Sequence, residues 1–169
     1  SWADYDPAKL SAGGGVFARN QRQVALSPQA RALLGIAEER VEPAVVMRAI
    51  LRAEADLLYF GGIGTYVKAS TESHAAASDR ANDAIRVDGR ELRARVVGEG
   101  ANLGVTQAGR IEAAAIAHVR LNTDALDNSA GVSTSDHEVN IKILLADVER
   151  AGAITRTQRD ALLVEMTEE

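Results

Sequence analysis

The 169-residue chain contains no cysteine. That excludes a disulfide scaffold, a cysteine-ligated zinc site and thiol chemistry. It also lacks a long apolar run. Asp56-Leu57-Leu58-Tyr59-Phe60 is among the longest such stretches, far short of the ~18 residues of a membrane helix. Ser1-Trp2-Ala3-Asp4-Tyr5-Asp6 has no basic or apolar region of a secretory signal. Basic charge is short too: the net charge is −5 and the pI about 5.3. Nucleic acid, which demands a basic face, is not an expected partner, and neither is a membrane. Lysine occurs only at Lys9, Lys68 and Lys142, against sixteen arginines. With the many alanines, this bias reads as genome composition rather than as a binding surface. What is present is 46% hydrophobic and 25% charged. This is the composition of a soluble, cytoplasmic globular protein long enough to form one domain over residues 1–169.

The segment from Ser1 to Ala25 has no sustained period and holds the loop signals Asp6-Pro7 and Gly13-Gly14-Gly15. A structureless start of this length points to a chain cut from a longer polypeptide. Trp2, Tyr5 and Phe17 are expected to pack this segment onto a sheet. Ser27-Pro28 starts a helix that Gly35 ends, and Pro43 opens a second with Val46, Ile50 and Leu51 at helical spacing. Asp56–Phe60 reads as a buried strand, and Ser70–Arg86 as helical in part. Asp88-Gly89 signals a hairpin between Ile85–Val87 and Leu92–Val97. Arg95-Val96-Val97 is a second strand, Ile111–Ala117 a helix and Val119–Leu126 a third strand. Two capping boxes, Ser135 with Glu138 and Thr155 with Gln158, open the last helices. Strands alternating with helices predict an α/β fold with a mostly parallel sheet flanked by helices.

In such sheets ligands bind outside the carboxyl ends of the strands. Three loops there hold the unusual residues: Gly61, Gly62 and Gly64; Glu99, Gly100, Asn102 and Gly104; Asn128, Ser129, Gly131 and Ser135. Glycine lets backbone pass close to a ligand, and asparagine offers both donor and acceptor to a carboxamide or ribose. Gly98-x-Gly100-x-x-x-Gly104 matches the glycine spacing of some dinucleotide turns. However, a long α/β stretch precedes it, and Thr106–Gly109 delays the next helix. Ser135 at a helix start is suited to a carboxylate or simply caps its helix. His74, His118 and His137 lack metal-ligand spacing. Lys68 reads as solvated or as an anion contact, and Glu99 as a base, a ribose contact or a structural cap.

The runs Gly61-Gly62-Ile63-Gly64-Thr65-Tyr66-Val67-Lys68-Ala69-Ser70, Asp79-Arg80-Ala81-Asn82-Asp83-Ala84 and Val97-Gly98-Glu99-Gly100-Ala101-Asn102-Leu103-Gly104 resemble the large bacterial NAD-specific glutamate dehydrogenases. So do Asn122–Ser129 and Asp136–Ile143. The smaller hexameric glutamate dehydrogenases are similar at Glu99-Gly100-Ala101-Asn102 and at Asn128-Ser129-Ala130-Gly131-Val132 followed by Ser135. The resemblance implies a partial Rossmann-like domain lacking its first βαβ unit. It implies NAD as cofactor, contacted by Gly61, Gly62, Asn102 and Asn128. It implies L-glutamate and 2-oxoglutarate as ligands, held by Val132 and Ser135, and a full-length enzyme that is a homo-oligomer. The phosphate-binding turn, the acidic ribose residue and the family's catalytic lysine and aspartate would lie before Ser1, so no catalytic residue is assigned. Phe60 and Ala130 depart from the family's asparagine and glycine. Two other readings remain: a short-chain-reductase-like domain binding NADP through Gly98–Gly104, and a non-catalytic interaction module on an α/β scaffold.

Overall fold

A computed structural model describes residues 4, 6–18, 20–100, 102–129, 131 and 137–166. The chain forms two compact units, Ser1–Asp127 and Asn128–Glu169.

The first unit opens with strand β1 (Val24–Ala25), helix α1 (Pro28–Leu34), strand β2 (Arg40–Val41) and helix α2 (Pro43–Leu51). Ser27 caps α1 by accepting the Ala30 amide at 3.1 Å. Gly35 closes it at φ 65, a left-handed value that glycine adopts without cost. β1 and β2 pair antiparallel, and Val24, Leu26, Ile36 and Val41 form a small core under the two helices.

The larger part is built on strands β3 (Ala55–Phe60), β6 (Ala94–Glu99) and β7 (Arg120–Leu121). They are all parallel, in the order β3-β6-β7. Helix α3 (Gln107–Ala115) joins β6 to β7. The connection from β3 to β6 carries a second parallel pair, β4 (Val67–Lys68) and β5 (Val87–Asp88). Val105 bridges to Val67 on the other side. Val67, Val87, Val97, Val105 and Ala113 are at most 2% exposed and make the centre of the main core, with Phe60 beside them. One face of the three-stranded sheet packs on this core. Its other face presents Leu57, Tyr59 and Val96 at 55%, 62% and 38% exposure, so β3 is not buried on both sides as its apolar run predicts.

Several elements differ from the sequence reading. The Asp88-Gly89 hairpin does not form. Val87 instead pairs in parallel with Val67, and both are almost wholly buried. Asp88 and Glu91 make a reciprocal capping box around a 3-10 turn at Gly89–Glu91. The strand expected over Val119–Leu126 shrinks to Arg120–Leu121, because Asp124–Asp127 coils into a short helix, α4. Helix α3 starts at Gln107 rather than at Ile111, since the Thr106 side chain accepts the Gly109 amide and caps it. Ser70–Arg86 yields only a 3-10 turn at Arg80–Asn82. Phe17 is 42% exposed rather than packed. Trp2 and Tyr5 lie outside the described residues.

The second unit contains α5 (Val139–Arg150) and α6 (Arg156–Glu165). Gly152, at φ 76, follows α5. Thr155 and Gln158 form the expected capping box on α6. Glu149 reaches Arg156 and Arg159 across the turn, at 3.9 and 3.7 Å. No helix among the described residues is long and apolar enough to cross a membrane.

Candidate functional site

The register of β3 against β6 sets Phe60 opposite Glu99. The loops beginning at Gly61 and Gly100 therefore leave the sheet side by side at its carboxyl edge, where parallel sheets bind ligands. Gly61, Gly62 and Asn102 are all exposed there. A Cβ at Gly62 would project into open space, so a flat ligand can approach this backbone.

The two loops are fastened to each other. Thr65 Oγ1 donates to the Leu103 carbonyl at 2.8 Å, and the Tyr66 amide donates to the Gly104 carbonyl at 2.8 Å. Phe60 stacks on Tyr66 with ring centroids 5.5 Å apart and sits against Gly104. Phe60 is thus a core residue at 6% exposure, and it offers no polar contact.

Beneath the first loop lies Arg86, its side chain fully buried. It donates to the Thr65 carbonyl at 2.8 Å, the Asp79 carbonyl at 2.5 Å and Asp83 at 2.6 Å. The Asp79 carboxylate accepts the Thr65 amide at 2.7 Å and the Asn82 side chain at 2.6 Å. Those two bonds, the Asn82 one foremost, hold the Asp79 carboxyl below its ordinary value. The run Asp79–Ala84 is therefore the support of the glycine loop.

Beneath the second loop lies Glu99, with no exposed surface. Its carboxylate accepts the Val105 amide at 3.2 Å and Arg110 Nη2 at 2.5 Å. Arg110 Nε also donates to the Asn122 carbonyl at 2.9 Å. Burial pushes the Glu99 carboxyl above its ordinary value, and Arg110 only partly offsets that. Two more carboxylates come from α4. Asp127 accepts the Glu99 amide at 3.1 Å, and Asp124 accepts the Leu103 amide at 3.0 Å. Glu99 thus supports its own turn and pairs with Arg110; it does not cap the neighbouring helix, which Thr106 caps.

This geometry decides against a pyrophosphate turn at Gly98–Gly104. The amides of Leu103 and Val105, which would face a phosphate, already serve carboxylates. A second anion there would meet like charge. The turn follows the central strand of the sheet, and a separate cap at Thr106 opens the helix. The reductase-like reading loses its basis.

Lys68 is neither solvated nor available to an anion. It is 7% exposed and donates to Asp88 at 2.5 Å and to the Ala69 carbonyl at 3.2 Å. Beside the carboxyl edge, the outer sheet face holds an open depression of about 600 Å³ bounded by Tyr59, Gly98, Leu121 and Asn122. Its volume is in the range of small-molecule sites.

Asn128 belongs to the second unit. A Cβ at Gly131 would meet Asn128 Oδ1 at 2.0 Å, so glycine at 131 makes room for that carboxamide. Val132 and Ser135, with the capping box at Ser135, lie outside the described residues. Arg86, Arg110, Asp124 and Asp127 were not singled out in the sequence. Their signal is weak, because each acts on backbone groups far away in the chain.

The architecture is α/β and Rossmann-like, with a parallel three-stranded sheet flanked by helices. The chain belongs to the family described as the catalytic domain of bacterial NAD-glutamate dehydrogenase, whose model matches residues 1–169. It is 55% identical over 168 residues to the NAD-specific glutamate dehydrogenase of Pseudomonas aeruginosa, covering 99% of this chain and 10% of that protein. The enzyme of the same name from Halomonas elongata is 53% identical over 169 residues, covering 100% of this chain and 10% of that protein. That from Mycobacterium tuberculosis is 53% identical over 175 residues, covering 100% and 11%. The chain thus spans about a tenth of the length of the curated relatives it matches.

Proposed function

We propose that the chain forms the later part of the nucleotide-binding region, and one wall of the cleft, of an NAD-dependent glutamate dehydrogenase. The whole enzyme oxidatively deaminates L-glutamate to 2-oxoglutarate and ammonium. It works in the cytoplasm as a homo-oligomer. The observation that carries this reading is the pair of fastened loops at the carboxyl edge of β3 and β6, in a chain of this family. The residues present suit the nicotinamide end of NAD. Gly62 offers open, side-chain-free backbone, Gly61 exposed backbone beside the Tyr59 ring, and Asn102 a carboxamide with both donor and acceptor. Bound NAD supplies the hydride acceptor.

The protein's share is placement. Gly61 and Gly62 admit the flat ring. Asn102 orients it by hydrogen bonds, and Asn128 is assigned to the cofactor by the family resemblance alone. Val132 is assigned to the aliphatic part of glutamate and Ser135 to its distal carboxylate, as the family resemblance implies. Among the described residues no group of three acidic or histidine side chains is arranged for a metal ion.

In the full-length enzyme, Asn102→Ala is expected to raise KM for NAD about tenfold, and Ser135→Ala to raise KM for glutamate about tenfold, each the scale of a lost hydrogen bond. Each leaves the other KM near its parent value. An unchanged pair of constants in both variants would overturn the assignment. The isolated chain is expected to form no NADH from glutamate and NAD; measurable turnover by it refutes the view that it is one wall of a larger site.

A further inference from the structure

We propose that Glu99 and Arg110 are positioning residues for the cofactor: their buried ion pair sets the turn that carries Asn102. The proposal rests on the reading that Asn102 meets the nicotinamide end of NAD.

The turn needs setting. It holds Gly100 and Gly104, and Leu103 sits at φ 57, where a non-glycine residue is strained. Such a conformation persists only where its surroundings over-determine it. Here they do. The Leu103 amide is taken by Asp124, its carbonyl by Thr65, the Gly104 carbonyl by Tyr66 and the Val105 amide by Glu99. A Cβ at Gly104 would lie 3.2 Å from Glu99 Oε2 and 3.3 Å from the Phe60 ring, so the turn rests directly on the carboxylate.

Stability alone does not explain this pair. Two charges have been withdrawn from water, and Arg110 Nη1 is buried without a hydrogen-bond partner among the described residues. Apolar side chains of similar volume are often as stable or more so in such a place. What an apolar pair lacks is direction. The carboxylate links the Val105 amide to a guanidinium, and the guanidinium reaches on to the Asn122 carbonyl beyond β7. One rigid fork thereby ties the turn after β6 to the turn after β7, both at the ligand edge.

The test uses the full-length enzyme and four variants: Glu99→Gln, Arg110→Lys, the double variant Glu99→Met/Arg110→Met, and Asn102→Ala. The readouts are the melting temperature, kcat, KM for NAD and KM for glutamate. Glu99→Gln and Arg110→Lys are expected to lower kcat/KM for NAD about tenfold or more, the scale of a small misplacement of a bound reactant. KM for glutamate stays within about twofold. The double variant is expected to melt at or above the parent temperature while keeping the kinetic defect. That separates positioning from packing. If Glu99→Gln does not accumulate as folded enzyme, the double variant carries the same readout. The proposal is overturned if kcat/KM for NAD stays within about twofold in the folded variants, or if the double variant recovers it along with stability. An unaltered Asn102→Ala enzyme instead sinks the assignment of Asn102 itself. A defect in Asn102→Ala with none in Glu99→Gln sinks only the positioning role.

Discussion

Gly109 offers a test in which two ordinary effects oppose each other. It occupies the first turn of α3, where alanine is the better helix former by up to ~1 kcal/mol. Propensity alone makes Gly109→Ala stabilising. The space around it says the reverse. A Cβ there would lie 2.8 and 2.9 Å from the Lys68 carbonyl carbon and Cα, and 2.9 Å from Thr106 Oγ1. The backbone of β4 cannot retreat. It is paired to β5, its Val67 carbonyl accepts the Thr106 amide at 2.9 Å, and Val67 is fully buried. Overpacking against fixed backbone costs ~1–3 kcal/mol, and three close contacts place this case toward the upper end. The expected net loss is ~1–2 kcal/mol, or roughly 2–8 °C in melting temperature for a chain of this size. Urea unfolding of the chain followed by circular dichroism measures it as a lower midpoint at unchanged slope. Ala114→Gly, on the exposed side of the same helix, calibrates propensity and is expected to lose ~1 kcal/mol. A Gly109→Ala chain as stable as its parent, or more so, refutes the packing argument.

Gly89 and Gly100 extend the same logic. A Cβ at Gly89 would lie 2.4 Å from the Gly109 carbonyl oxygen, so Gly89→Ala is expected to cost about 2–3 kcal/mol in urea unfolding. At Gly100 the obstacle, at 1.9 Å, is the hydroxyl of Tyr59, which is 62% exposed and free to swing, so Gly100→Ala is expected to cost under about 1 kcal/mol. The opposite ranking would show that the closeness of contact, not the mobility of the neighbour, sets the cost. Stability also depends on acid. Asn82 and the Thr65 amide hold Asp79 below its ordinary value; burial pushes Glu112 up, but the hydroxyl and amide of Ser70 outweigh it and leave Glu112 lowered too. A lowered carboxyl stabilises the fold above its unfolded pKa, and that contribution is lost as pH falls through the folded value. Glu99, raised by burial, has the reverse sign and favours the fold most when protonated. Melting temperature from about pH 7 to about pH 3 is expected to fall less steeply in Glu112→Gln than in the parent; an unchanged acid limb refutes the assignment of Glu112.

Local signals read correctly where the chain's neighbours in sequence decide the outcome. Ser27-Pro28 starts α1, Thr155 and Gln158 open α6, and the apolar runs before Gly61 and Gly100 form parallel strands. They fail where a distant partner decides. Asp88-Gly89 would turn a hairpin, but Val87 gains a fully buried place beside Val67, twenty residues back in the chain. Asp124–Asp127 would continue a strand, but as a helix it delivers two carboxylates to the amides of Leu103 and Glu99. The edge loops at Gly61, Gly62 and Asn102 were legible because glycine and asparagine mark where an apolar strand run ends. Their supports were not, because a buried Arg86 or Arg110 looks in sequence like any other of sixteen arginines.

The supports explain what the edge can accept. The charged groups that fix the two loops act from within or below: Arg86 and Asp79 bond to backbone of the first, Glu99, Asp124 and Asp127 bond to backbone of the second, and Arg110 holds the Glu99 carboxylate. The groups left on the outside, Gly61, Gly62 and Asn102, are neutral. Carboxylates on the amides of the second turn remove the donors a phosphate would use and add charge that repels it. A neutral carboxamide meets no such penalty and can exchange both donor and acceptor bonds with an asparagine. The same spacing of glycines that elsewhere cradles a pyrophosphate therefore presents, in this chain, an edge suited to an uncharged group. The difference lies in Asp124 and Asp127, more than twenty residues beyond the turn they cap.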